Sequence, residues 1–358
     1  MTWRALALVA AVLVACAVAP TIMAGQNASQ SVAVQDAVAP DPDDRPLAIR
    51  VWHAEKLTTG APIPLIIISH GTGGSLAGHA DTARALAAAG FVVVSVSHTG
   101  DNYRDDSYVG RGLHLIGRPR HISRVIDYML TTWTNRRSID PRRIGVLGHS
   151  AGGFTALVSA GGEPDMTRVE PHCLAHPAAW DCEYLRQHDF KFANSPRSSS
   201  ASWRHDARIR AAVIAAPAVG YVFDPRGLAH VTIPIQLWVA GHDPIVEDSP
   251  AIIRRLLPRT PEYHLVPGAG HLSFVTPCGR EEALIAKTAR ENGGLDWCSE
   301  PDGFDRSAFH GEFNAAVIAF FKRTLKVGGG RGIRTPGTVS GSVVFKTTAI
   351  DHSAIPPR

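Results

Sequence analysis

The sequence predicts an α/β protein built on a doubly wound, mostly parallel sheet with a cap inserted into it. Three observations carry that expectation. Short apolar runs recur along the chain, separated by segments of helical composition, as in parallel strands buried on both faces. One run leads into a sharp, glycine-flanked turn, Ile144-Gly-Val-Leu-Gly-His-Ser-Ala-Gly-Gly153. A long stretch from Glu163 to Arg208 then interrupts the alternation.

The 358 residues suffice for one large α/β domain or two small ones, and 45% hydrophobic content with 19% charge supports a substantial core. The formal net charge of +4 does not mark a nucleic-acid partner. Arg4 lies in the leader, and Arg331, Arg334, Lys346 and Arg358 lie in the C-terminal tail against Asp351. The central domain is therefore close to neutral.

Met1 to Ala24 carries Arg4 and then the apolar run Ala5 to Ala15, too short for a stable bilayer span and suited to an export signal. Two endings compete. Residues 1–24 end in Ile22-Met23-Ala24, a small-residue cleavage site; residues 1–15 end before Cys16 in a lipobox-like Leu13-Val14-Ala15-Cys16. An exported protein, periplasmic or secreted, is expected, with a membrane link only through lipidation of Cys16. Residues 25–44, rich in Ala, Asp and Pro, read as a flexible linker to a domain spanning 45–326.

Leu47 to Trp52 alternates and reads as a strand, and Pro64 to Ser69 reads as a central strand. His70-Gly71-Thr72-Gly73-Gly74 follows. It lacks the Gly-Lys-Ser/Thr of a phosphate loop. It suits a turn that presents the Thr72 backbone N–H to an oxyanion, with His70 holding the loop. His79 to Ala89 reads as a helix, Phe91 to Val96 as a strand and Pro119 to Trp133 as a helix. The polar segment between them, His98 to Leu115, either lines a pocket or is a solvated loop. Ser138 to Pro141 reads as a turn into the strand before Ser150.

Gly-x-Ser-x-Gly alone is expected by chance in roughly one chain in ten of this length. Its weight comes from context. Strand, turn and helix (Gly153 to Ala160) form the setting of a nucleophile elbow, with the Ala151 N–H at a helix N-terminus beside Ser150. Residues 163–208 read as a cap that shapes a substrate pocket.

Ala211 to Ala216 and Ile233 to Ala240 are the next strands. The second ends in Gly241-His242-Asp243, and an acid just past a strand's C-terminal end is well placed to act. Glu247 and Asp248 are rivals that lie further along. Glu262 to Val266 is the last strand, followed by His271 in a glycine-rich loop. Phe304 to Leu325 ends in an amphipathic helix, and residues 327–358 have no period that assigns them a place, so a disordered tail is expected.

Apart from Cys16, the cysteines form two sequence-local pairs, Cys173 with Cys182 and Cys278 with Cys298. An even number in an exported chain favours disulfides, these pairings being preferred among three connectivities. A metal site from His172, Cys173, His176 and Cys182 is the competing reading, but their spacing matches no zinc pattern.

The order Ser150, Asp243, His271 resembles that of the α/β hydrolases across about Leu47 to Leu325. More narrowly, His70-Gly71, Gly148 to Gly153, Gly241-His242-Asp243 and Gly270-His271 are similar to the dienelactone hydrolase and platelet-activating-factor acetylhydrolase branch. Dienelactone hydrolases carry cysteine at the elbow where this chain has Ser150. The resemblance implies a serine esterase acting on a small-molecule carboxylic ester through an acyl-enzyme, with Ser150, His271 and Asp243 as the triad and Thr72 and Ala151 as the oxyanion hole. No metal or organic cofactor is required. A serine peptidase or amidase on the same fold, or a catalytically silent binding protein, are the other classes.

Overall fold

A computed structural model describes residues 31–57, 62–111, 114–190, 203–291, 295–326 and 343–344. The leader and Cys16 lie outside the described residues, as does the tail apart from 343–344. The strands are β1 (Val32–Ala39), β2 (Leu47–Ala54), β3 (Ile63–Ser69), β4 (Val92–Val96), β5 (Ile139–His149), β6 (Ile209–Ala215), β7 (Ile235–His242), β8 (Glu262–Gly270) and the two-residue β9 (Val343–Val344). They form one sheet in the order β1-β2-β4-β3-β5-β6-β7-β8-β9. β1 with β2 and β2 with β4 are antiparallel; every other pair is parallel.

The apolar runs form strands because both faces of the sheet are covered. In β3, Leu65 and Ile67 join one core and Ile66 and Ile68 the other. The first core packs under α2 (His114–Thr131) and α3 (Ala151–Ser159), through residues such as Ile122, Met129, Phe154 and Leu157. The second packs under α1 (Ala80–Ala88) and α8 (Arg306–Thr324), through Leu86, Phe313, Phe320 and Phe321. Between α3 and β6 lie the short helices α4 (Val169–Ala175) and α5 (Trp180–Gln187). Both belong to the expected cap. Its two ends meet: the Asp206 N–H donates to the Ser159 carbonyl at 2.9 Å. α6 (Ser249–Leu256) and α7 (Arg280–Glu291) complete the described helices.

Three expectations need correction. The linker read over 25–44 is ordered structure from Val32 onward. β1 pairs along its whole length with β2, and Asp36 binds Arg50 at 2.6 Å. Beyond β1, buried Asp41 faces Arg120 at 3.1 Å and Asp43 faces Arg124 at 2.7 Å. An edge strand draws its stability from its partner, so an Ala- and Asp-containing segment of modest propensity still pairs. The turn read at Ser138 to Pro141 is instead the start of β5, which opens at Ile139 beside Ile63 of β3. The tail, given no place in the fold, contributes β9 beside β8.

The register places the functional loops. Ser69 aligns with Gly148, so the loop after β3 and the turn after β5 leave the sheet side by side. This is the switch point of the sheet, since β4 lies on one side of β3 and β5 on the other. His242 aligns with Gly270, which brings Asp243 and His271 together at the ends of neighbouring strands.

Candidate active site

Ser150 stands between β5 and α3 with φ 56° and ψ −121°. A non-glycine residue there is strained, and such strain persists only where the surroundings enforce it. Here they do. The Ser150 N–H donates to Ala215 O at 3.0 Å, and the Ser150 carbonyl accepts from Gly153, Phe154 and Ala218 at 2.9–3.1 Å. Two glycines make the turn sterically possible. A Cβ on Gly148 would lie 2.0 Å from Gly152 O, and one on Gly152 would lie 1.9 Å from Ser69 O. Both obstacles are backbone, so only glycine fits either position.

His271 Nδ1 donates to Asp243 Oδ2 at 2.8 Å, with both side chains 5% exposed. The other carboxylate oxygen, Oδ1, accepts from the Ile245 and Val246 N–H groups at 3.0 and 3.2 Å. The carboxylate is thereby fixed, and its bond to Nδ1 leaves Nε2 of the neutral imidazole as the bare, basic nitrogen. Glu247 and Asp248, the rivals of Asp243, make no such contact among the described residues.

The loop carrying His271 is held from several sides. His149, next to Ser150, donates from Nε2 to the His271 carbonyl at 2.9 Å, and the two rings lie 4.8 Å apart. Burial pushes the His149 imidazole well below its usual value, and the neighbouring His271 adds to this. It stays neutral beside the His271 ring. The Gly270 N–H donates to Ser273 Oγ at 2.9 Å, and Ser273 in turn donates to Glu300, the partner of Arg306. Ser150 Oγ itself takes part in no hydrogen bond among the described residues. Catalytic contacts of this kind often tighten only with substrate.

Thr72, Ser150 and Ala151 line one cavity of about 300 Å³. Among the described residues, the backbone N–H groups of Thr72 and Ala151 donate to no other group. The Ala151 N–H opens α3, where the helix leaves its first donors unpaired. Two donors thus remain available at the cavity edge for an anionic oxygen.

A buried ion pair beneath the Thr72 loop was not visible as a functional feature in the sequence. Arg118 Nε lies 3.0 Å from Asp101 Oδ2, with both side chains fully buried. Arg118 also donates to His70 O at 2.8 Å and Gly71 O at 3.2 Å, while Asp101 Oδ1 accepts from the Gly73 N–H at 2.9 Å. The pair clamps both sides of Thr72. Burial alone would raise the Asp101 carboxyl, yet Arg118, helped by the Gly73 N–H, holds it below its ordinary value. His70 completes the cradle by donating from Nδ1 to Gly71 O at 2.7 Å and accepting from the His98 N–H at 3.2 Å. Burial pushes its imidazole down to about 3, with Arg118 contributing. Its structural role matches the expectation. The segment from His98 to Leu115, left open between pocket and solvated loop, borders the site, since His114 and Leu115 line the cavity. Arg118→Met is expected to lower stability by about 3–5 kcal/mol, because it strands the buried Asp101 charge. Urea unfolding measures the loss, and pairing the change with Asp101→Asn is expected to recover part of it.

The cap closes the cavity with His172, Trp180, Asp181 and Tyr184 from α4 and α5. The two helices are joined by the Cys173–Cys182 disulfide, and Cys278–Cys298 forms the second bridge, as expected. Potential ligand atoms of His172, Asp181 and Cys182 lie within 4.8 Å of one another. Cys182 is consumed by its disulfide, so the metal reading loses its thiolates. No described helix is long and apolar enough to cross a membrane.

A family model described as "Alpha/beta hydrolase family" matches residues 65–283, a span that contains Thr72, Ser150, Asp243 and His271. The chain belongs to the alpha/beta hydrolase family. A solved structure similar to this hydrolase is a ferulic acid esterase from Streptomyces cinnamoneus. It matches with a TM-score of 0.54 and 18% sequence identity, over 82% of this chain and 90% of that one. At that identity the likeness speaks to the fold alone. No curated protein matches the chain.

Proposed function

We propose that this chain is a serine esterase that cleaves small carboxylic esters through a Ser150–His271–Asp243 triad and an acyl-enzyme. The observation that carries the reading is the fixed Asp243–His271 hydrogen bond at the same end of the sheet as the strained Ser150 turn. Serine is a poor nucleophile until a neighbouring base takes its proton. In this mechanism His271 Nε2 removes the Ser150 proton as Oγ attacks the ester carbonyl. Asp243 keeps the imidazole in the required tautomer and stabilises the imidazolium that forms. The Thr72 and Ala151 N–H groups receive the oxyanion; one such donor typically lowers the barrier by about 3–4 kcal/mol. The imidazolium protonates the departing alkoxide. Water, activated by the same imidazole, then releases the acid.

A modest cavity partly covered by α4 and α5 suits a small ester better than an extended polypeptide. Within the family, the residues around Ser150 and His271 favour the dienelactone hydrolase and platelet-activating-factor acetylhydrolase branch, in an esterase form because the nucleophile is serine. Export belongs to the same proposal and draws support from the two disulfides, which suit an oxidising compartment.

A fluorophosphonate probe tests the reading directly. Covalent labelling is expected on the Ser150 peptide of the folded protein, identified by mass spectrometry, and is expected to be lost in His271→Ala. Folded protein that resists the probe would overturn the serine-hydrolase reading.

A further inference from the structure

Three carboxylates, Asp181, Glu247 and Asp248, line the cavity beside Ser150, while its described lining contains no lysine or arginine. Two described cations of the cap are engaged elsewhere. Arg168 binds Asp224 at 3.0 Å, and Arg186 donates to Pro177 O at 2.7 Å. Arg118, although close to the Thr72 loop, is fully buried against Asp101.

The remaining polar wall includes Tyr221 and three histidines, His114, His172 and His176. Tyr221 donates its phenol to Asp181 Oδ2 at 2.6 Å and stacks on His172, with ring centroids 3.6 Å apart. Burial raises the Tyr221 phenol well above its ordinary value, and Asp181 reinforces the effect, so the ring stays neutral. Burial lowers the His172 imidazole despite the attraction of Asp181, whose Oδ1 lies 4.0 Å from its Nε2. His114, which also lines the cavity, is pushed down to about 4, chiefly by its burial. Beside the carboxylates stand aromatic faces: Trp180 and Tyr184 are stacked, with centroids 4.9 Å apart and planes 10° apart. A partly enclosed wall of π faces and carboxylates, with no lysine or arginine among its described residues, has the chemistry that holds an ammonium group.

We propose that the cavity selects by charge: among esters of equal size it takes those carrying a cationic, quaternary-ammonium-like group, accepts uncharged ones less well and excludes carboxylates. As a statement about substrate it rests on Ser150 being the reacting hydroxyl. As a statement about binding it does not, and the test separates the two.

Binding is measured by calorimetry on the full-length Ser150→Ala protein with its disulfides intact. The probes are phenyltrimethylammonium, uncharged N,N-dimethylaniline and benzoate, at mildly alkaline pH. The affinities are expected in that order, with at least about a tenfold gap between the cation and benzoate at low ionic strength, narrowing as salt is added. Asp181→Asn, which keeps a hydrogen-bond acceptor for Tyr221, and Glu247→Gln, at an exposed position, are each expected to weaken the cation by about threefold or more. Benzoate binding as tightly as the cation would overturn the proposal. So would undetectable binding of all three, or cation binding unmoved by both substitutions. The turnover arm uses wild-type protein and compares the p-nitrophenyl esters of butyrate and of glutarate, the second with a free carboxylate. Its kcat/KM is expected to be at least about tenfold lower. Failed fluorophosphonate labelling together with the expected binding order would remove the esterase reading and leave the charge-selective cavity standing.

Discussion

Ser150→Ala is expected to lower kcat for p-nitrophenyl ester hydrolysis by about 10⁵-fold or more, the scale seen when a serine nucleophile is removed. The fold is expected to survive. The strained φ of 56° is enforced by backbone hydrogen bonds to Ala215, Gly153, Phe154 and Ala218, none of which involves the hydroxyl. Thermal unfolding of the variant is therefore expected to stay close to that of the parent, separating lost chemistry from lost structure. Retention of even a hundredth of the activity, in a preparation free of contaminating esterase, would mean that another group attacks the ester.

The second large effect belongs to Asp243. Asp243→Asn is expected to reduce kcat by about 10⁴-fold with little change in geometry. The carboxylate accepts from His271 Nδ1 with one oxygen and from two backbone N–H groups with the other. An asparagine that keeps its oxygen on the Ile245 and Val246 N–H groups must turn its NH₂ toward the imidazole. That favours the tautomer with Nδ1 bare and Nε2 protonated, which cannot take the Ser150 proton. A loss expressed mainly in KM would argue against this role, because the tautomer governs proton transfer and not ground-state binding.

The centre of this molecule was legible because its parts obey simple packing rules. Ile66, Ile67 and Ile68 are consecutive and apolar because their strand is covered on both faces. The turn at Ser150 announced itself through Gly148 and Gly152, where neighbouring backbone leaves no room for a side chain. Asp243 and His271 could be ordered along the chain, and the sheet register supplied the rest by aligning His242 with Gly270. The sequence-local cysteine pairs were likewise readable.

The features not legible in the sequence depend on partners distant along the chain. β1 looks like a tether until β2 is beside it. Arg118 and Asp101 carry the residue types of a solvated surface, yet they lie fully buried under the loop they position. Neither composition nor periodicity distinguishes such a pair. The one available signal is that Arg118 occupies the same helix as Leu115 and Ile122, which both face the core. α7 is rich in charge, and its large apolar residues Leu284 and Ile285 stay exposed while, among its described residues, only the small Ala286 is fully buried.

The Asp206–Ser159 hydrogen bond has a practical meaning for engineering. Because the cap leaves and rejoins the body at one spot, and carries its own staple between α4 and α5, it has the layout of an interchangeable cassette. A library of replacement segments grafted across that seam could retune which molecules are processed while the machinery beneath is left as nature assembled it.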